Sequence, residues 1–147
     1  MMAARKGPSA ESAQASATLK GAGLRPTRQR RLLAELLFRR GDRHVTAELV
    51  HQEAQESGCQ VSLATVYNAL HQFTAAGLLR QVVVEPTRSY FDTNTDLHQH
   101  FYDEEHGALI DIAGESIAVT GVPVPPEGMA IAQVDVVVRI RRREKSL

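Results

Sequence analysis

The stretch Thr95–Gly107, TDLHQHFYDEEHG, sets His98, His100 and His106 among Asp96, Asp103, Glu104 and Glu105. On a β-strand, residues two apart project to the same side, so His98 and His100 present their imidazoles together while Gln99 points away. Two imidazoles on one face are half of a metal site. Carboxylates that can complete it are Asp92, eight residues before His100, and Asp111, eleven after it in the run ALIDI. Nitrogen and oxygen donors without thiolate suit borderline divalent ions such as Fe(II), Mn(II) or Zn(II), among which geometry must choose. Taken alone, an HxH pair is equally an incidental pattern, and Asp103, Glu104, Glu105 and His106 read as a solvated turn. The one cysteine, Cys59, makes no internal disulfide and leaves no CxxC.

Charge is unevenly spread. Residues 1–91 carry 12 Lys and Arg against 7 Asp and Glu; residues 92–138 carry 9 Asp and Glu and no Lys or Arg; residues 139–147 carry 5 against 1. The formal net charge of zero therefore conceals a basic first half suited to a polyanion and an acidic second half suited to cations. With 43% hydrophobic residues in 147, the chain has enough apolar content for one large or two small domains. No apolar run approaches a membrane span, and MMAARKGPSAESAQASATLK lacks the apolar core and cleavage site of a secretory leader. The expectation is a cytoplasmic protein with no membrane partner.

The elements that must carry these residues follow from period and punctuation. Residues 1–18, rich in Ala, Ser and Gln, read as a flexible arm that can turn helical towards its end, with no element assigned. RPTRQRRLLAELLFRRG predicts a helix capped by Thr27, with Leu32, Leu33, Leu36 and Leu37 as its stripe and Gly41 as its stop. HVTAELVHQEAQESG predicts a second, with Thr46 as cap, an Ala47/Val50/Ala54 face and Gly58 as stop. SLATVYNALHQFTAAGL predicts a third, capped by Ser62, with Leu63, Val66, Leu70 and Phe73 facing a core. After Gly77 the period changes to that of a hairpin around Glu85–Arg88, and strands are predicted in HFYDEEHGALIDIAG and AIAQVDVVVRI, flanking the Pro-rich GVPVPPEG.

Three helices and a hairpin make a winged helix-turn-helix, whose last helix enters the major groove of DNA. The residues off its apolar stripe suit that task. Asn68 can pair bidentately with adenine, Tyr67 can pack on a thymine methyl, and Thr65 can reach a phosphate. Arg25, Thr27 and Arg30, at the start of the first predicted helix, are placed for backbone or minor-groove contact. The plainer alternative is a helical bundle with a solvated polar face.

GLRPTRQR, HVTAELV, SLATVYNALHQFTAAGLL and SYFDTN…HQHF together resemble, in order and spacing, the ferric uptake regulator family of dimeric metal-sensing repressors. The resemblance covers roughly residues 19–143. It implies an α+β chain: a winged-helix DNA-binding domain over 19–92 and a small α/β dimerisation and metal-sensing domain over 93–147, with a hinge near Asp92. It implies that His44, Asp92, His98, His100 and Asp111 form one regulatory site bridging the domains. It also implies that Tyr67 and Asn68 read bases and Arg25 enters the minor groove. Many members have arginine where this chain has Asn68, so a different operator is expected.

Departures from the family pattern matter as much. Asp103 and His106 occupy the places of a structural CxxC, so no structural zinc is expected. A second site is missing, its positions being Leu97, Gln99, Ala118 and Val134. The phrasing GDRHVTAE, SLATVYN and YFDTN looks most like the iron response regulator branch of alphaproteobacteria, which answers to haem. The Cys-Pro motif of some of its members is absent, because Gln60 follows Cys59, so haem would have to use the His98/His100 region. The expected function is a homodimeric repressor of iron or haem homeostasis genes, bound to double-stranded operator DNA. Its expected effector is Fe2+ or Mn2+, with Zn2+ as an in vitro occupant and haem as a further candidate. The alternatives are a manganese, zinc or peroxide sensor on the same site, or a mononuclear metalloenzyme.

Overall fold

Short polar residues decide where the helices begin. The computed structural model describes residues 9–113 and 116–144. In chain order the elements are α1 (Ala10–Gly21), α2 (Arg28–Phe38), β1 (His44–Val45), α3 (Ala47–Glu56), α4 (Leu63–Ala75), β2 (Arg80–Glu85), β3 (Arg88–Asp92), β4 (Gln99–Asp103), β5 (Ala108–Ile112) and β6 (Val137–Ile140). Thr27, Thr46 and Ser62 are the N-caps of α2, α3 and α4, accepting from the backbone N–H of Arg30, Leu49 and Thr65. Each cap satisfies a donor that the helix itself leaves orphaned, a contribution of about 1 kcal/mol. Helices α3 and α4 end alike: Gly58 and Gly77 take φ of 83° and 82°, and Cys59 and Leu78 donate back to the carbonyls of Ala54 and Phe73. A side chain at either glycine would strain that left-handed turn.

The first unit packs these helices on one face of a small sheet. Val66, Leu70 and Phe73 of α4, Leu33 and Leu37 of α2, and Ala47, Val50 and Ala54 of α3 form a buried core with Val45 and Phe91 from the strands. Burying each larger side chain contributes about 1.5–3 kcal/mol. Leu63 departs from the predicted stripe: it lies in the first turn of α4 and is exposed. The sheet order is β1-β3-β2, antiparallel throughout. Pro86 and Thr87 form the hairpin turn, with Glu85 opposite Arg88.

The expected flexible arm over 1–18 is corrected for residues 10–18, which are helical; residues 1–8 lie outside the described residues. Ser9 caps α1, and Ala15 and Leu19 bury against the core. Two apolar residues one turn apart, amid Ala and Ser, make too narrow a stripe to announce a helix, yet small side chains let α1 pack closely on α2.

The chain divides between Thr95 and Asp96, three residues past the expected boundary at Asp92. Hydrogen bonds hold the intervening residues to the first unit. Thr93 donates its N–H to the Arg43 carbonyl and accepts the Arg43 N–H on its hydroxyl, and Asn94 N–H caps the Asp92 carboxylate.

The second unit is a sheet of order β5-β4-β6, with β4 antiparallel to β5 and parallel to β6. Its described residues include no helix, so the expected α/β character is met there in the strands alone. Gly121, Pro123, Pro125, Pro126 and Gly128 interrupt the segment where a helix would lie. The predicted strand AIAQVDVVVRI shortens to Val137–Ile140 because the Gln99 side-chain oxygen takes the Val136 N–H at 2.8 Å, displacing a ladder bond.

Candidate metal centre and nucleic-acid face

Alternation along the first sheet separates two faces. Val45 and Phe91 point into the helical core, so His44 and Asp92, each one position away, share the opposite face. They are register partners across β1 and β3, and His44 Nε2 lies 3.1 Å from Asp92 Oδ2. The Asp92 carboxylate is 1% exposed. Its partner on the other side, across β2, is Arg80, 6% exposed, so an imidazole, a carboxylate and a guanidinium form one row across three strands.

In the second unit, His100 and Asp111 are register partners across β4 and β5, and His98, one residue before β4, brings its ring beside that of His100. The imidazoles meet edge to face at 4.5 Å. Asp111 Oδ1 stands 3.2 Å from His98 Nε2 and 3.4 Å from His100 Nε2. His98 Nδ1 is 2.6 Å from the Asp96 carbonyl oxygen. A carbonyl only accepts, so Nδ1 carries the hydrogen, and Nε2 is the ring atom that faces the Asp111 carboxylate. Two lone-pair atoms at that distance are stable only with a proton or a cation between them.

A cation fits this set. Ligands about 2.0–2.2 Å from a divalent ion lie about 3.0–3.5 Å apart along the edges of an octahedron or tetrahedron, and the separations within each unit fall in that range. A histidine that donates its second N–H to a backbone carbonyl is the usual support of a metal-bound imidazole.

The expected nucleic-acid residues lie on α2 and α4 or just before them. Tyr67 donates its hydroxyl to Glu48 Oε1 at 2.9 Å. That bond, partial burial and the Glu48 charge raise the phenol above its ordinary pKa. Asn68, the next residue, is exposed. Arg30 donates to the Arg25 carbonyl and to Gln72 Oε1, both at 3.0 Å, so it braces α2 against α4. The Thr27 hydroxyl caps α2, and that of Thr65 shares a hydrogen with Ser62 at 2.8 Å.

Comparison with known proteins gives the lineage. The sequence pattern of the ferric uptake regulator family matches residues 21–139. The chain belongs to the ferric uptake regulator family. It is 33% identical over 95 residues to the peroxide-responsive repressor PerR of Staphylococcus aureus (strain Mu50), a match covering 65% of this chain and 64% of the relative's length. Among solved structures it resembles the ferric uptake regulator of Pseudomonas aeruginosa with manganese, at TM-score 0.65 and 25% identity, covering 88% of this chain and 98% of the other. That of Vibrio cholerae has TM-score 0.68 at 24% identity, covering 86% and 98%, a likeness of fold.

Asp103 and His106 lie at the exposed β4–β5 turn. Asp103 Oδ1 accepts the N–H groups of Glu105 and His106, and its Oδ2 lies 2.7 Å from His106 Nδ1. Hydrogen bonding to His106 lowers the Asp103 pKa, and hydrogen bonding to Asp103 raises that of His106. Two residues of consequence were not singled out from the sequence. Arg43 grips both oxygens of Glu53, at 2.6 and 3.1 Å, and the Leu36 carbonyl, holding in place the strand that carries His44. Arg80 is a lone charge in the apolar run LLRQVVV, and that isolation is the signal that could have marked it.

Proposed function

We propose that this protein is a metal-responsive transcriptional regulator, and not an enzyme: a repressor of iron or haem homeostasis genes that binds operator DNA as a homodimer. The observation that supports it most is the His98–His100–Asp111 cluster, with its His98 tautomer set by the Asp96 carbonyl. We assign His44 and Asp92 as the remaining ligands of the same ion. The chain joining Asp92 to His98 is six steps long and spans at most about 20 Å, so the two sets are tethered closely.

A divalent ion bound there, Fe2+ or Mn2+ in the cell and Zn2+ in vitro, supplies positive charge and directional bonds. The chain does the rest. His44 and Asp92 move with the helices that face DNA, and His98, His100 and Asp111 move with the second sheet. Ligand binding biases the arrangement of the units only if it is tighter in one arrangement than in another. Arg25, Thr27, Arg30 and Thr65 are assigned to the DNA backbone and minor groove, and Tyr67 and Asn68 to base edges. Haem, using His98 and His100, is the alternative effector. Similarity to the PerR repressor of S. aureus favours one further reading, a peroxide sensor on the same site.

The test is DNA binding by protein purified without added metal, measured by fluorescence anisotropy with Mn2+, anaerobic Fe2+, haemin or peroxide in separate titrations. A salt-dependent specific complex whose affinity changes with one of these is expected. Affinity indifferent to all four would refute the regulatory site.

A further inference from the structure

Tyr67 is held by two contacts in the first unit, one at its hydroxyl and one on its ring. Its hydroxyl donates to Glu48 at the start of α3. Its ring stacks on His71, one turn along α4, at 6.3 Å between centroids and 20° between planes. His71 in turn meets Phe91 edge-on, at 5.6 Å and 79°, and Phe91 is fully buried. Glu48 and His71 are both exposed, so neither is there to fill the core. Glu48 reads from sequence as a first-turn acid favoured by the dipole of α3, yet its carboxylate is spent on a residue 19 positions away.

We propose that Glu48 and His71 are positioning residues for base recognition, fixing Tyr67 in one orientation so that its ring, beside Asn68, presents a single surface to the operator. This rests on the reading above that α4 enters the groove of DNA. Tyrosine has two main torsions, and tethering its hydroxyl and flanking its ring removes that freedom before DNA arrives, which lowers the entropic cost of binding. Aromatic contacts at these distances are individually modest but directional. A carboxylate near phosphates is unfavourable for binding in general, so Glu48 sharpens preference while weakening indiscriminate affinity.

The probes are a duplex enriched by the wild-type protein with Mn2+ from a random-core library, and a scrambled duplex of equal length and composition. Replacing Glu48 by Ala is expected to lower the ratio of specific to scrambled affinity about tenfold, the size of one base contact, while scrambled binding holds or rises. E48Q keeps an oxygen that accepts the phenol hydrogen and should restore the ratio. H71A should lower it and H71F, which retains a ring, should restore it. Y67F combined with E48A should be no worse than E48A alone, because both act through one hydroxyl. A readout independent of DNA is the phenolate absorbance of Tyr67, obtained by difference from Y67F: its pKa should fall in E48A towards 10.0. Should no duplex be enriched by the wild type, the DNA-reading assignment itself fails and takes this one with it. With a duplex in hand, an unchanged ratio in both E48A and H71A, or losses in E48A and Y67F that add, overturns the positioning role.

Discussion

Replacing His44 by Ala separates one shared ion from two independent sets. His44 supplies one imidazole, 18% exposed, with its Nε2 3.1 Å from the buried Asp92 oxygen. Loss of a supporting group around a metal site costs about 10–100-fold in affinity, and loss of a ligand itself at least the upper figure, or about 2.7 kcal/mol. Without metal the cost is smaller. Breaking a buried pair costs about 3–5 kcal/mol when the remaining charge is stranded, but the Asn94 N–H still caps Asp92 and Arg80 stays opposite it. A loss of about 1–2 kcal/mol in apo stability follows. Calorimetric titration with Mn2+ measures the first quantity and urea denaturation the second. H100A should weaken Mn2+ binding to a similar degree, and in DNA binding the double variant should show no less metal response than either single variant, because each alone already removes it. If H44A binds Mn2+ as tightly as wild type while H100A does not, the site lies wholly in the second unit and the shared-ion assignment is wrong.

Asn68→Ala should weaken binding to the enriched duplex by about 1–3 kcal/mol and leave scrambled DNA nearly unaffected; equal losses in parallel anisotropy titrations would remove Asn68 from base reading. Exhaustive chelation should leave the dimer mass unchanged by light scattering, since a chain with one cysteine has no CxxC to hold a structural zinc; monomers or unfolded chains would show that a metal holds the core. The exposed Asp103–His106 pair should make the β4–β5 turn pH-dependent at both ends. Its lowered carboxylate contributes above the ordinary Asp value of 3.8 and is lost as pH falls through the depressed pKa. Its raised imidazole contributes below the ordinary His value of 6.5 and is lost as pH rises through the elevated pKa. An NMR titration should therefore place the His106 midpoint above 6.5, and D103N should bring it back; identical midpoints would exclude the pair in solution.

Local chemistry was the part most legible in the sequence. Thr27, Thr46 and Ser62 are legible as caps because each bonds an N–H three residues away, within reach of pattern reading. The same-side placement of His98 and His100 follows from a strand period of two. What could not be read depends on partners distant in the chain. The Glu48–Tyr67 bond and the Arg43–Thr93 clasp join residues 19 and 50 positions apart, and nothing in the composition of either segment names the other. The extent of helix α1 was hard to read because its burial rests on Ala15 and Leu19 alone, and the late start of β6 because a side-chain oxygen from Gln99 takes the Val136 N–H.

The row His44–Asp92–Arg80 has a consequence for reversibility. A buried carboxylate whose only counter-charge were a departing ion would push the empty protein towards unfolding, and every release would expose it to proteolysis. Arg80 is the register partner of Asp92 across the sheet and is part of the chain, so a cation is tied to the same row whether or not an ion is bound. If the proposed ion binds here, losing it would exchange one folded form for another. Such a molecule would be emptied and refilled many times over its lifetime, and its copies would follow a fluctuating supply without being resynthesised at each swing.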